Sequence, residues 1–156
     1  MTEIERLNDI VRKLCSEDGC PWDRVQTHES LEPACIEEAA EVISGINIFT
    51  ETGDAENLKE ELGDLLLQVV LHAAIAQKEG IFSFEDVAKT VADKMIRRHP
   101  HIFGDVTYVD EATRSATWEQ IKKKEKEGRE WQEEYLKKAL QESAELIETA
   151  KKRKGF

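Results

Sequence analysis

Apolar residues recur at helical spacing along most of this chain. Ile4, Leu7, Ile10, Val11 and Leu14 mark one face of a helix over residues 3–15, which Gly19-Cys20-Pro21 stops. After a loop, a second helix starts near Ser30 or Leu31, accepts Pro33 in its first turn and runs to about Phe49. Thr52-Gly53-Asp54 reads as a turn whose Asp can cap a third helix, and Gly80 suits the residue just past that helix's end. Ser83-Phe84-Glu85-Asp86 has the form of a capping box for a fourth helix, which closes before His99-Pro100 because proline disfavours the helical conformation at its predecessor. Residues 101–112 are expected to be a loop carrying Ile102, Phe103 and Tyr108, followed by a helix from Thr113 to Glu127 that Gly128 breaks. From Trp131 onward, Tyr135, Ala139, Leu140, Ala144 and Ile147 complete an apolar stripe. This predicts a last helix packed on the bundle or on another subunit, with Lys151 to Phe156 fraying. The fold class is all-α, a small helical bundle.

Two helices of this pattern carry clustered acids. Glu37-Glu38-Ala39-Ala40-Glu41 and Glu60-Glu61-Leu62-Gly63-Asp64 share the form E-E-x-x-(D/E). On a helical wheel the first and last acids of a cluster lie about 40° apart and the second and last about 60° apart, so all three share a face. A cluster of this kind is often only a solvated face, but the third helix argues otherwise. From Leu65 to Ala76 it is apolar nearly all round, as a helix surrounded by protein should be. Its polar exceptions, Gln68 and His72, continue the stripe of Glu61 and Asp64. Buried carboxylates are costly unless paired or metal-bound. Two such helices packed antiparallel would cage a divalent cation, and all-oxygen ligands favour Mg²⁺, with Mn²⁺ as substitute. His72 by itself reads as a satisfied core histidine, or one that supports a ligand from behind, rather than a ligand.

Composition narrows the partners. The 156 residues are 35% charged and 40% hydrophobic with three prolines, which suits one soluble, largely helical domain. The formal net charge of −11 disfavours nonspecific binding to nucleic acid or to an anionic membrane. Residues 29–64 hold eleven acids and a single base, Lys59, whereas Lys94, Arg97 and Arg98 form a basic group near the end of the fourth helix. By position alone, those bases are expected to complement the helix dipole. Three cysteines without C-x-x-C spacing point to reduced thiols rather than disulfides or zinc, and no apolar run is long enough to span a membrane, so a cytoplasmic protein is expected.

Cys20-Pro21-Trp22-Asp23, Gln26-Thr27, the two acidic clusters, Glu61-Leu62-Gly63-Asp64-Leu65-Leu66-Leu67-Gln68-Val69-Val70 and Arg97-Arg98-His99-Pro100-His101-Ile102-Phe103-Gly104-Asp105 occur in an order that resembles the MazG family of nucleoside triphosphate pyrophosphohydrolases. Trp118-Glu119-Gln120-Ile121-Lys122 is similar to that family's downstream segment, so the likeness spans about residues 3–126. It implies a helical bundle of the all-α NTP pyrophosphatase type, usually oligomeric, that hydrolyses nucleoside triphosphates with Mg²⁺ to the monophosphate and pyrophosphate. The family's metal ligands fall on Glu38, Glu41, Glu61 and Asp64, and Glu37 falls where an acid orients or activates water. Lys94, Arg97 and Arg98 occupy the phosphate-facing positions. Many members carry two such domains; this chain has one copy and then a tail. The expected division is residues 1–127 as the pyrophosphohydrolase domain and 128–156 as a helical extension.

The expected chemistry needs an acidified water, a carboxylate base and cations for the leaving group. Glu37, Glu38 or Glu60 would handle the proton, and Lys94, Arg97 and Arg98 would neutralise pyrophosphate. Trp22 and Trp118 are candidates for stacking on a base, with Lys122 one turn beyond Trp118. A di-iron bundle is disfavoured because no histidine follows an acid by three residues. The competing reading is a catalytically degenerate helical module that binds nucleotide or a partner. Because the third helix is apolar around its girth, a homodimer or a dimer of dimers is expected.

Overall fold

The computed structural model describes residues 1–156 throughout, as helices without strands. They are α1 (Glu3–Leu14), α2 (Glu32–Thr52), α3 (Glu56–Lys78), α4 (Phe84–Arg98), α5 (Pro100–Phe103), α6 (Glu111–Lys126) and α7 (Gln132–Lys154). The chain forms two compact units. One comprises Met1–Phe84 with Glu142–Phe156, and the other Glu85–Gln141.

Local chemistry explains most helix ends. Thr2 opens α1 with a reciprocal box: its hydroxyl accepts the Glu5 N–H at 3.2 Å, and the Glu5 carboxylate accepts the Thr2 N–H at 2.6 Å. Pro33 sits in the first turn of α2, where its missing N–H costs nothing, and Gly53 closes that helix at φ +77°. Asp54 accepts the Glu56 N–H at 3.0 Å as α3 begins. Asp110 accepts the Thr113 N–H at 2.7 Å and starts α6 two residues earlier than the apolar pattern placed it. Residues 100–103 are a short helix where a loop was expected, because Pro100 presets the first helical φ. The end of α7 also departs from expectation: the helix continues to Lys154 instead of fraying from Lys151, with Arg153 and Lys154 held in ion pairs.

In the first unit, α3 is the hub, packed by both α1 and α2. Val11, Leu31 and Val70 are fully buried, and Leu71 with Ala73 to Ala76 continue that core along α3. Each large side chain removed from water contributes about 2 kcal/mol. The short turn after Gly53 makes α2 and α3 an antiparallel hairpin, and their close crossing depends on Gly45. A Cβ there would lie 2.8 Å from the Leu58 Cα. The expected enclosure of α3 from Leu65 to Ala76 is only partly realised within one chain, since Val69 is 38% exposed; earlier on the helix, Leu62 is 50% exposed. In the second unit, Trp131 just before α7 and Tyr135 and Leu140 on it are likewise exposed.

Candidate metal centre

The α2–α3 hairpin brings one acid from α2 to two from α3. Carboxylate oxygens of Glu38, Glu61 and Asp64 all lie within 4.8 Å of one another, and all three residues are half-buried. Three full charges at that spacing repel by about 3 kcal/mol per pair at an effective dielectric constant of about 20. Glu38 carries most of the strain. Its Oε2 is buried with no hydrogen-bond partner. Burial first, and then Glu41, Asp64, Glu61 and Glu37, pushes its pKa above the usual glutamate range. Glu61 has one internal donor, the Asn57 Nδ2 at 2.9 Å. A glutamate with an orphaned oxygen in an all-carboxylate triangle fits a hard divalent cation, which would offset most of the triangle's charge.

The other expected acids are placed differently. Glu41 lies outside the triangle, its carboxylate accepting from Lys154 Nζ, and Glu37 accepts from Arg153 Nη2. Glu60 is exposed. A cavity of about 520 Å³ lies beside this acidic face, walled by Ile36, Ile48 and Glu61 on one side and by Ile147, Lys154 and Phe156 on the other.

Beyond Asp64 the polar stripe continues with Gln68, which is buried on α3 with its Oε1 unpartnered. His72 has both ring nitrogens occupied: Nδ1 lies 2.7 Å from His28 Nδ1 and Nε2 lies 3.4 Å from Cys35 Sγ. The two imidazoles stack with centroids 5.0 Å apart. Burial and the facing His28 lower the His72 pKa, and burial raises that of the Cys35 thiol. His72 is therefore the satisfied core histidine its position suggested, and not a metal ligand.

The basic residues lie in the second unit. Arg97 donates to Glu125 Oε1 from Nε at 3.2 Å and Nη2 at 2.9 Å, while Arg98 donates to Oε2 at 3.0 and 2.7 Å. One carboxylate thus fills two guanidinium forks, and those donors hold the Glu125 pKa below the usual range, the Arg98 hydrogen bond most of all. Trp118 takes the Arg98 guanidinium 5.4 Å from its ring centroid and the His99 ring edge-on at 5.0 Å. Lys122 pairs with Glu119 at 3.1 Å, and Lys94 is half-buried on α4. Trp22, in the first unit, is 60% exposed in its loop. Sequence reasoning missed Glu125, although Trp118, Lys122 and Glu125 share the i, i+4, i+7 spacing of one helix face. It also missed Arg153 and Lys154, whose basic run resembles any helix C-terminus.

Residues 26–103 match the MazG nucleotide pyrophosphohydrolase domain, so the match contains the whole acid triangle and the α4 bases. The chain is 52% identical over 123 residues to the nucleoside triphosphate pyrophosphohydrolase/pyrophosphatase MazG of Thermotoga maritima, covering 79% of this chain and 45% of that one. It is 43% identical over 127 residues to the nucleoside triphosphate pyrophosphohydrolase of Escherichia coli K12, covering 81% and 47%. Against the uncharacterized protein YabN of Bacillus subtilis, identity is 48% over 124 residues, covering 80% and 24%. The chain therefore spans less than half the length of each of these relatives. A domain match over half the chain, carrying the acids that the α2–α3 hairpin gathers, shows that this chain belongs to the MazG nucleotide pyrophosphohydrolase family.

Proposed function

We propose that this chain hydrolyses nucleoside triphosphates to the nucleoside monophosphate and pyrophosphate in a Mg²⁺-dependent reaction. The observation that carries the reading is the cluster of Glu38, Glu61 and Asp64, with carboxylate oxygens within 4.8 Å of one another and one Glu38 oxygen buried without a partner. The names of the Thermotoga and Escherichia relatives supply the reaction class.

Glu38, Glu61 and Asp64 hold the cation, with Glu41 as the fourth ligand once it is free of Lys154. A bound Mg²⁺ supplies charge neutralisation for phosphate oxygens and a water of lowered pKa. Glu37 accepts the proton, since its carboxylate adjoins the triangle in sequence and is assigned no ligand role. Lys94, Arg97 and Arg98 are assigned to the phosphates by their chemistry. The forks that grip Glu125 match a phosphate oxygen pair equally well, so a triphosphate can exchange with that carboxylate. Trp118 with Lys122, and Trp22, are the aromatic and cationic candidates for the base.

Residues 1–127 form the catalytic domain in this reading and 128–156 its extension. The exposed apolar residues Leu62 and Val69 on α3, and Trp131 with Tyr135 and Leu140 at the start of α7, support a homodimer or a dimer of dimers. No helix is long and apolar enough to cross a membrane. The free cysteines support a cytoplasmic location.

The test is chromatographic product analysis on a panel of canonical and damaged nucleoside triphosphates. Monophosphate and pyrophosphate in equal amounts, formed only with Mg²⁺ or Mn²⁺, is the expected result. Nucleotide binding without turnover would replace the enzyme by the binding-module reading.

A further inference from the structure

Two cations from the far end of the chain sit on the acidic face of α2. Arg153 reaches Glu37 and Lys154 reaches Glu41, across 116 and 113 residues of sequence. These are tertiary contacts, unlike the other tail pair, Lys151 to Glu148, which lies within one helical turn. Apolar burial contributes little to holding this end: Ile147 is 42% and Phe156 87% exposed.

We propose that the basic end of α7 and a divalent cation compete for the acidic face of α2, so that Arg153 and Lys154 act as resident counter-ions that metal loading displaces. The proposal rests on the metal reading given above. Five acids, Glu37, Glu38, Glu41, Glu61 and Asp64, crowd the α2–α3 hairpin, and two tail cations neutralise only the outer pair. The inner triangle keeps its three carboxylates and its orphaned oxygen. A dication entering there draws on Glu41, which shares a face of α2 with Glu38 three residues earlier. It also repels the ammonium already held on that carboxylate. Each tail cation is itself partly exposed, and ion pairs open to solvent in this way are weakened by screening. The tail end is therefore easily displaced, and its departure opens the cavity that Ile147, Lys154 and Phe156 wall.

The test has two arms. In calorimetry with Mn²⁺ alone, Arg153→Gln/Lys154→Gln should bind at least fivefold more tightly than the unaltered chain. Lys123→Gln/Lys124→Gln, which removes equal charge from exposed positions on α6, should stay within twofold. In the unaltered chain, hydrogen exchange over residues 146–156 should speed up when Mn²⁺ is added, and trypsin should cleave faster after Lys151 to Lys154. Equal Mn²⁺ affinity in the unaltered and double-variant chains, or unchanged or slower exchange in the tail, overturns the competition while leaving the metal site standing. Absence of Mn²⁺ binding in both chains overturns the metal reading and the competition with it. The exchange arm uses no substitution, so a folding defect in a variant does not shield the proposal.

Discussion

Glu38 and Glu125 are both glutamates in crowded, charged surroundings, one in each compact unit, and their carboxyl groups are driven in opposite directions. Around Glu38 the neighbours are burial and four other acids, and the pKa rises. Around Glu125 they are two guanidinium forks, and it falls. The second cluster is complete in itself, with each carboxylate oxygen taking two N–H donors. The first lacks a counter-charge at its centre and holds a buried oxygen with no donor. Gln68 Oε1 and His101 Nδ1 are also buried without a partner, but only the Glu38 oxygen belongs to a cluster of acids that a cation would complete. Charge density alone does not mark a site; charge that the chain leaves uncompensated does.

The harshest way to break this contrast is to push α2 away from α3. Gly45→Ala puts a methyl against the Leu58 backbone, which cannot swing aside as a side chain would. It should cost about 2 kcal/mol in denaturant unfolding and weaken Mn²⁺ binding with it. Gly63 meets nothing within 4 Å, so Gly63→Ala should instead gain up to about 1 kcal/mol of helix propensity. A destabilisation there would mean that a second subunit covers that face.

Next in size is Asp64→Asn, which removes one corner of the triangle. Mn²⁺ affinity in calorimetry should fall at least tenfold, about 1.4 kcal/mol, while the metal-free protein melts no lower because one like-charge repulsion is gone. A lower melting temperature with unchanged affinity would make Asp64 a structural acid.

Glu125→Gln tests the complete cluster. It leaves two guanidinium groups without their charge partner and should cost about 1 kcal/mol, discounted for the exposed Arg97 side of the network. It should leave Mn²⁺ affinity unchanged.

The smallest effect separates the two glutamates by pH in the metal-free protein. Glu38's raised folded pKa means its contribution is fully present below the ordinary glutamate range and is lost as pH rises through the raised value. Glu125's lowered folded pKa gives the reverse: stability is present above the ordinary range and lost as pH falls through the depressed value. Melting curves should therefore rise from neutral pH toward mild acid and fall again at lower pH. Glu38→Gln should flatten the first limb and Glu125→Gln the second.

Much of this was readable in residue order. Six of the seven helices, the end signals at Pro33, Gly53 and Gly80, and the acids Glu38, Glu61 and Asp64 on shared faces all follow from the 3.6-residue period and from local backbone chemistry, which depend on neighbours a few positions away. The short α5 was missed because Pro100 signals both a stop and a start, and periodicity over four residues cannot choose. His72 was placed in the core by its apolar neighbours, but its partners His28 and Cys35, 44 and 37 residues away, were invisible.

What the sequence by itself determined is therefore the all-α class, the family and the membership of the acidic faces, because helical spacing is a local property. Only the tertiary structure decided which charges meet. It drew Glu38, Glu61 and Asp64 together, committed Arg97 and Arg98 to Glu125, and turned Glu37 and Glu41 toward Arg153 and Lys154. Whether an acid is satisfied or left waiting depends on distances between residues far apart in the chain, and the close α2–α3 crossing at Gly45 sets those distances for the triangle.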